Sequence, residues 1–158
     1  MNRVEISVEG IGTPRWLEQA RDFVLAVLEC LEKDCWDLSM LICDDAFIRG
    51  LNRQYRDRDE ATDVLSFEQG DSYRDPDGAE RFLAGDIVIS LDALGRNAEE
   101  FGITRDEELR RLIVHGILHL SGMDHDDNDP SRPMLLLQEE IISDLQATTP
   151  SRGVLSIV

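Results

Sequence analysis

The sequence predicts an α/β (α+β) fold in one domain: a small mixed sheet packed by helices, with a candidate metal site on a helix and the turn that follows it. Three observations lead there. Short apolar segments of strand length alternate with longer segments of helical periodicity, no internal repeat interrupts them, and every histidine falls within "HGILHLSGMDH", residues 115 to 125. A chain of 158 residues with 42% hydrophobic content buries a core of ordinary size.

Val4, Ile6 and Val8 alternate with Glu5 and Ser7, the period of a half-buried first strand. Thr13 and Pro14 then offer a cap and a first-turn proline, and Trp16, Ala20, Phe23, Val24, Val27, Leu28 and Leu31 repeat at helical spacing. Trp36 to Cys43 has the length and apolar content of a strand, and Asp44 or Asp45 caps a helix expected from about Ala46 to Tyr55. Phe47, Ile48, Leu51 and Tyr55 form its apolar side, whereas Arg49, Arg53 and Arg56 share another face. That face serves equally as a solvated charged surface or as a phosphate contact.

Arg56 to Phe67 runs from a charged loop into a short strand, Val64 to Phe67, with Thr62 and Asp63 at its mouth. Glu68 to Arg81 is polar and contains Gly70, Pro76 and Gly78, so it reads as a mobile connection to a strand at Ala84 to Ser90. A hairpin-like excursion there would put antiparallel pairing into the sheet. Leu91 to Phe101 reads as a short helix ended by Gly102. Thr104 and Glu107 form a capping box ahead of a longer helix whose buried side is Leu109, Leu112, Ile113, Gly116, Ile117 and Leu120. Asp124 to Asp129 is an acidic loop, and Met134 to Leu145 supplies a last amphipathic helix.

Cys30, Cys35 and Cys43 are odd in number and lack a CxxC pair, which favours buried free thiols over a disulfide framework. No apolar run reaches the roughly 18 residues needed to span a membrane. Met1 to Gly10 lacks the order of an export signal, so a soluble cytoplasmic protein is expected. The formal charge of -17 argues against broad electrostatic attraction to nucleic acid but permits a local basic surface.

His115 and His119 stand at i and i+4, so on a helix their side chains share one face. Gly122 suits a left-handed helix stop, and the turned chain returns His125 as a third ligand. Three neutral ligands on a divalent ion leave a fourth position open, the arrangement of a catalytic zinc site in which a water is acidified. H-x3-H-x2-G-x2-H is also the ligand spacing of the metzincin proteases, whose motif carries a glutamate after the first histidine. Here that position is Gly116, which removes the proton-transfer group of a peptidase. Asp124 is the nearest carboxylate and either supports a histidine from the second shell or belongs to a solvated loop.

Three blocks, "LNRQYRDRDEATDVLSF" at 51 to 67, "GDIVIS" at 85 to 90 and "HGILHLSGMDH" at 115 to 125, together resemble the YbeY-type endoribonucleases, also described as rRNA maturation factors. The resemblance extends less distinctly over nearly the whole chain. It implies an α/β sandwich with a mixed sheet and a metal-dependent RNase that holds one Zn2+ ion. It also implies action on single-stranded RNA in 16S rRNA 3′-end maturation and ribosome quality control, with ribosomal or ribosome-assembly proteins as partners. The metal ligands are then His115, His119 and His125, and the family's functional arginine corresponds to Arg56. One departure is Glu68, where relatives often have proline.

On this reading residues 1–147 form one endoribonuclease domain, 148–158 a flexible tail, and Arg56 stabilises charge on the phosphorus centre while Arg49 and Arg53 hold flanking phosphates. No membrane or DNA partner is expected. Two alternatives remain at this level: a zinc hydrolase of peptides or small molecules, and a non-catalytic ribosome assembly factor with a structural metal.

Overall fold

The structure is a computed structural model that describes residues 1–148. Most of the expected tail, from residue 149 on, lies outside the described residues. Strand β1 (Arg3–Glu9) leads to helix α1 (Leu17–Cys30), β2 (Trp36–Cys43), α2 (Asp45–Arg56), β3 (Val64–Arg74) and β4 (Glu80–Ser90). Helices α3 (Leu91–Phe101), α4 (Arg105–Leu120) and α5 (Pro133–Thr148) follow. The sheet order is β1-β2-β4-β3; β1 and β4 flank β2 in parallel, and β3 pairs antiparallel with β4. It is the mixed sheet the sequence predicts.

Both faces of the central strands are covered, which is why β2 and β4 read as nearly continuous apolar runs. Leu38, Met40 and Ile42 of β2, with Ile87 and Ile89 of β4, face the main core built with α1, α4 and α5. The intervening Cys43 and Val88 face a smaller cluster with Ile48 of α2 and Leu65 of β3. The layers are therefore one helix, the sheet, and a helical layer in which α4 is the most deeply buried element, with Leu109, Ile113, Ile117 and Leu118 fully enclosed.

Several expectations shift at this level. Helix α1 begins after Trp16 rather than at Thr13, and no side chain caps it. The residues before it form a turn that delivers Trp16 itself into the core. The expected mobile connection at Glu68 to Arg81 is mostly a β-ribbon: β3 continues to Arg74 and β4 starts at Glu80. The ribbon's outer part was hidden in the sequence because it is exposed, so it needs no apolar alternation. Near its turn it is fastened by buried Arg81, which donates to Asp37 at 2.7 and 2.9 Å and to the Met1 carbonyl at 3.0 Å. The cysteines are free as expected, but only Cys43 is buried and Cys30 is exposed.

The register of both β4 pairings shifts near Gly85. This residue has φ +139°, and a Cβ built on it would lie 2.1 Å from the Phe67 carbonyl oxygen. Only glycine satisfies both the left-handed backbone and that approach. Replacing Gly85 by alanine should destabilise the chain by about 3 kcal/mol or more, since backbone must move to admit the methyl. Urea unfolding measures this, and a variant as stable as the parent would contradict it.

Candidate metal centre

Helix α4 starts where Thr104 Oγ1 accepts from the Glu107 N–H at 3.1 Å. It stops in a Schellman turn: the Gly122 N–H donates to the His119 carbonyl at 3.0 Å and the Met123 N–H to the Leu118 carbonyl at 3.1 Å. Gly122 takes φ +95°, the left-handed value expected of it. The reversal brings His125 back to His115 and His119, with ring centroids 4.7 to 5.4 Å apart. Among the described residues, one nitrogen from each of the three rings lies within 4.8 Å of the others.

The hydrogen bonds on the outer side of each ring settle which nitrogen faces inward. His115 Nδ1 lies 2.8 Å from Gln138 Oε1, His119 Nδ1 3.1 Å from the Met123 carbonyl, and His125 Nδ1 2.9 Å from the Asp127 carbonyl. Each partner is an acceptor, so each Nδ1 carries the hydrogen and each Nε2 keeps its lone pair. His115 Nε2 and His119 Nε2 then face each other at 3.1 Å. Two lone pairs at that separation repel each other and are relieved by a shared cation, and three neutral imidazoles are a donor set suited to a divalent transition metal such as zinc. Burial lowers the pKa of both His115 and His119 from the ordinary value, which keeps these rings neutral at neutral pH.

Two supports hold this tautomer pattern. Gln138, buried on α5, turns its Nε2 toward Glu139 Oε1 at 3.4 Å, and Glu139 in turn receives Arg111 at 2.8 and 3.1 Å. The amide oxygen is left for His115. On the other side, Arg132 grips Asp127 at 2.6 and 2.8 Å. The Arg132 guanidinium and the Asp129 N–H hold the Asp127 carboxyl down to about 2. That pair braces the loop whose carbonyl receives the His125 ring.

His115 and His119 open onto a cleft of about 750 Å³. Its far side is the C-terminal end of α2 with Tyr55 and Arg56, and its floor is the free edge of β3 from Val64 to Glu68. The Asp63 carbonyl accepts from Ser90 N–H across β4, so alternate residues, including Ser66, turn their backbone groups to the open edge. Arg56 uses one of them: its Nη2 donates to the Ser66 carbonyl at 2.8 Å, and its guanidinium lies 5.4 Å from the centroid of the Phe67 ring. The Arg56 charge also contributes to lowering the His119 pKa, after burial as the largest cause. The fold thus brings the two sequence blocks, around 56 and around 115 to 125, to opposite sides of one cleft.

The other expected site residues fall differently. Arg49 is bound to Asp59 at 2.9 and 3.2 Å, and neither Arg49 nor Arg53 lines the cleft. Asp124 does line it, but its Oδ1 accepts from the His125 N–H at 2.8 Å and lies 4.0 Å from His119 Nδ1, beyond hydrogen-bonding distance. Gly116, where a metzincin would carry glutamate, faces the sheet: a Cβ on it would lie 2.9 to 3.1 Å from three atoms of the Ile87 side chain. A carboxylate there could not reach the histidines. Tyr55, which the helical period puts on the apolar side of α2, is 59% exposed at the cleft rim. Gln138 escaped sequence reasoning; its signal was a lone amide between Met134 and Ile141 in the buried stripe of the last helix.

The fold and cleft define a class: a small α+β hydrolase-like domain that presents an inward-facing three-imidazole centre beside the edge of a mixed sheet. Within that class the chain belongs to the Endoribonuclease YbeY family, whose sequence model matches residues 3–146. It is 61% identical over 124 residues to the Endoribonuclease YbeY of Treponema denticola, covering 78% of this chain and 80% of that protein. It is 51% identical over 143 residues to the one of Treponema pallidum, covering 90% and 89%. A Thermotoga maritima protein solved in solution superposes with a TM-score of 0.63 at 26% identity, covering 97% of each chain. The family is one of endoribonucleases, hydrolases of phosphodiester bonds.

One buried group is not part of the histidine set. Glu108 of α4 is 3% exposed, its Oε2 has no partner among the described residues, and burial pushes its carboxyl up to about 7, with Arg111 pulling the other way and Asp63 and Glu139 adding to the rise. Its folded pKa lies above the unfolded value of 4.5. The group's contribution to stability is therefore complete below the unfolded pKa and is lost as pH rises through about 7. Glu108→Gln should raise stability at pH 8.5 by on the order of 1–3 kcal/mol and change it little at pH 4. Unfolding curves at the two pH values check the sign; equal effects at both would contradict it.

Proposed function

We propose that this chain is a metal-dependent endoribonuclease that holds one Zn2+ ion on His115, His119 and His125 and cleaves single-stranded RNA. The observation that carries the reading is a cluster of three imidazoles, two of which line a single open cleft together with one arginine. When bound, the ion supplies Lewis-acid polarisation and a nucleophile of lowered pKa. The chain's own residues do the rest. The histidines fix the ion's place relative to the β3 edge. Arg56, oriented by the Ser66 carbonyl and the Phe67 ring, keeps further N–H donors for the phosphate, where negative charge develops as the phosphorus is attacked. Arg53 and Arg49, further along α2, would take flanking phosphates outside the cleft, Arg49 by exchanging Asp59 for a phosphate.

In this reading Asp124 supports the turn between the second and third ligands. The substrate is ribosomal RNA, acted on in 16S 3′-end maturation and ribosome quality control, with ribosomal or assembly proteins bringing the acidic chain to its target in the cytoplasm. Residues 1–147 carry the activity. No helix among the described residues is long and apolar enough to cross a membrane. The peptidase alternative lacks its glutamate, and a purely structural metal would need a fourth protein ligand that the cluster of described residues does not offer.

His119→Ala should abolish both zinc binding and RNA cleavage, whereas Arg56→Glu should bind zinc normally and lose cleavage on the order of 100-fold or more. Zinc content by atomic absorption beside a single-strand cleavage assay tests the assignment, and normal cleavage by Arg56→Glu would sink it. Gln138→Leu should weaken zinc binding roughly 10- to 100-fold, because the His115 ring loses the acceptor that sets its tautomer. Competition with a chromogenic chelator measures this; an unchanged affinity would show that Gln138 does not orient the ligand.

A further inference from the structure

The cleft has a charge problem. The chain carries a formal net charge of -17. Among the residues that line the cleft, Arg56 is the only lysine or arginine, and Glu68 and Asp124 are acidic. Inside the cleft, counterion release from phosphates, the usual source of affinity for RNA, is therefore confined to one side chain and the ion, Arg49 and Arg53 reaching only flanking phosphates outside it. Affinity for the nucleotides that enter the cleft must come largely from groups whose attraction does not depend on charge.

Tyr55 has the position and chemistry to supply it. It is the last aromatic residue of α2, lines the cleft next to Arg56, and is 59% exposed. Its ring meets that of Phe67 in a T-shaped contact at a centroid distance of 5.3 Å and an interplanar angle of 66°, which props it at the rim. Exposing a large aromatic ring has no value for folding, and the smaller core cluster beside it closes without Tyr55. Phe67 holds the guanidinium of Arg56 as well, so the phosphate-directed group and the exposed ring share one support.

We infer that Tyr55 is a base-stacking platform: its ring takes the nucleobase of a nucleotide next to the phosphate held by Arg56, and so selects unpaired RNA. This rests on the endoribonuclease reading of the same cleft. A base can lie on the ring only when it is free of its own stack and partner, so a duplex is excluded by geometry rather than by charge. The stack carries no sequence preference of its own, because every base has a π-face.

The test uses the zinc-loaded full chain and a short single-stranded RNA with one cleavage site. Tyr55→Ala should raise KM on the order of 10-fold or more, with the loss falling on KM rather than kcat. Tyr55→Phe and Tyr55→Trp should restore KM, since the ring and not the hydroxyl is required. In the parent enzyme, an abasic residue placed beside the cleaved phosphate should reproduce the defect. Combined with Tyr55→Ala it should add nothing further. The slope of log KM against log salt should be the same for the parent and Tyr55→Ala, because no phosphate contact is removed. If the parent cleaves and Tyr55→Ala retains its KM, the stacking platform is wrong while the nuclease reading stands. If Tyr55→Phe is as impaired as Tyr55→Ala, the hydroxyl is the working group and the inference is overturned. A parent loaded with zinc that leaves RNA intact overturns the reading beneath it.

Discussion

Everything at the cleft depends on how closely α4 sits on β4. The contact is possible because Gly116 presents no side chain to Ile87, and the helix settles onto the sheet at a distance that a methyl group would disturb. That seat fixes the height of His115 and His119 relative to the free edge of β3, and thereby their relation to Arg56. The glycine that distinguishes the motif from a protease signature is thus a packing residue. The same atom-scale fact that brings the helix close also removes the carboxylate a peptidase would need.

The polar part of the site follows a second rule: each functional group is oriented by something that does no chemistry. Three oxygen acceptors turn three imidazoles inward, a guanidinium–carboxylate pair braces one acceptor loop, and an aromatic ring with a backbone carbonyl aims Arg56. Such preorganisation matters more in an acidic protein than in a basic one. With little long-range attraction to draw a polyanion in, the few favourable contacts must already be in place when it arrives.

Much of this was legible in the sequence, for identifiable reasons. β2 and the helix that carries His115 and His119 are buried on a regular face, so periodicity and caps report them; the Thr104 cap and the Gly122 stop stand where those residue types require. The histidine cluster was legible because its spacing is local, two imidazoles on one helical face and the third after one turn. The outer half of the β3–β4 ribbon was not, because exposed cross-strand pairs leave no apolar pattern. Nor was the rim position of Tyr55, which obeys the helical period of Phe47, Ile48 and Leu51 yet projects past the end of the surface they cover. Gln138 acts through a contact 23 residues away along the chain, a distance over which periodicity carries no information.

The irregularity at Gly85 has a consequence for how the protein can vary. Residues of β3 alternate between two duties: Leu65 and Phe67 pair with β4 and support α2, while Ser66 offers its carbonyl to Arg56. A one-residue slip would exchange those duties and dismantle the anchor. The shift in pairing between Glu68 and Asp71 isolates this stretch from the ribbon beyond it. Length changes at the ribbon tip, around Asp75 to Ala79, are absorbed before they reach the cleft, whereas an insertion of a single residue between Val64 and Glu68 is not. The hairpin therefore divides into an outer segment that meets the rest of the chain away from the cleft and an inner one whose length sets the cleft's geometry.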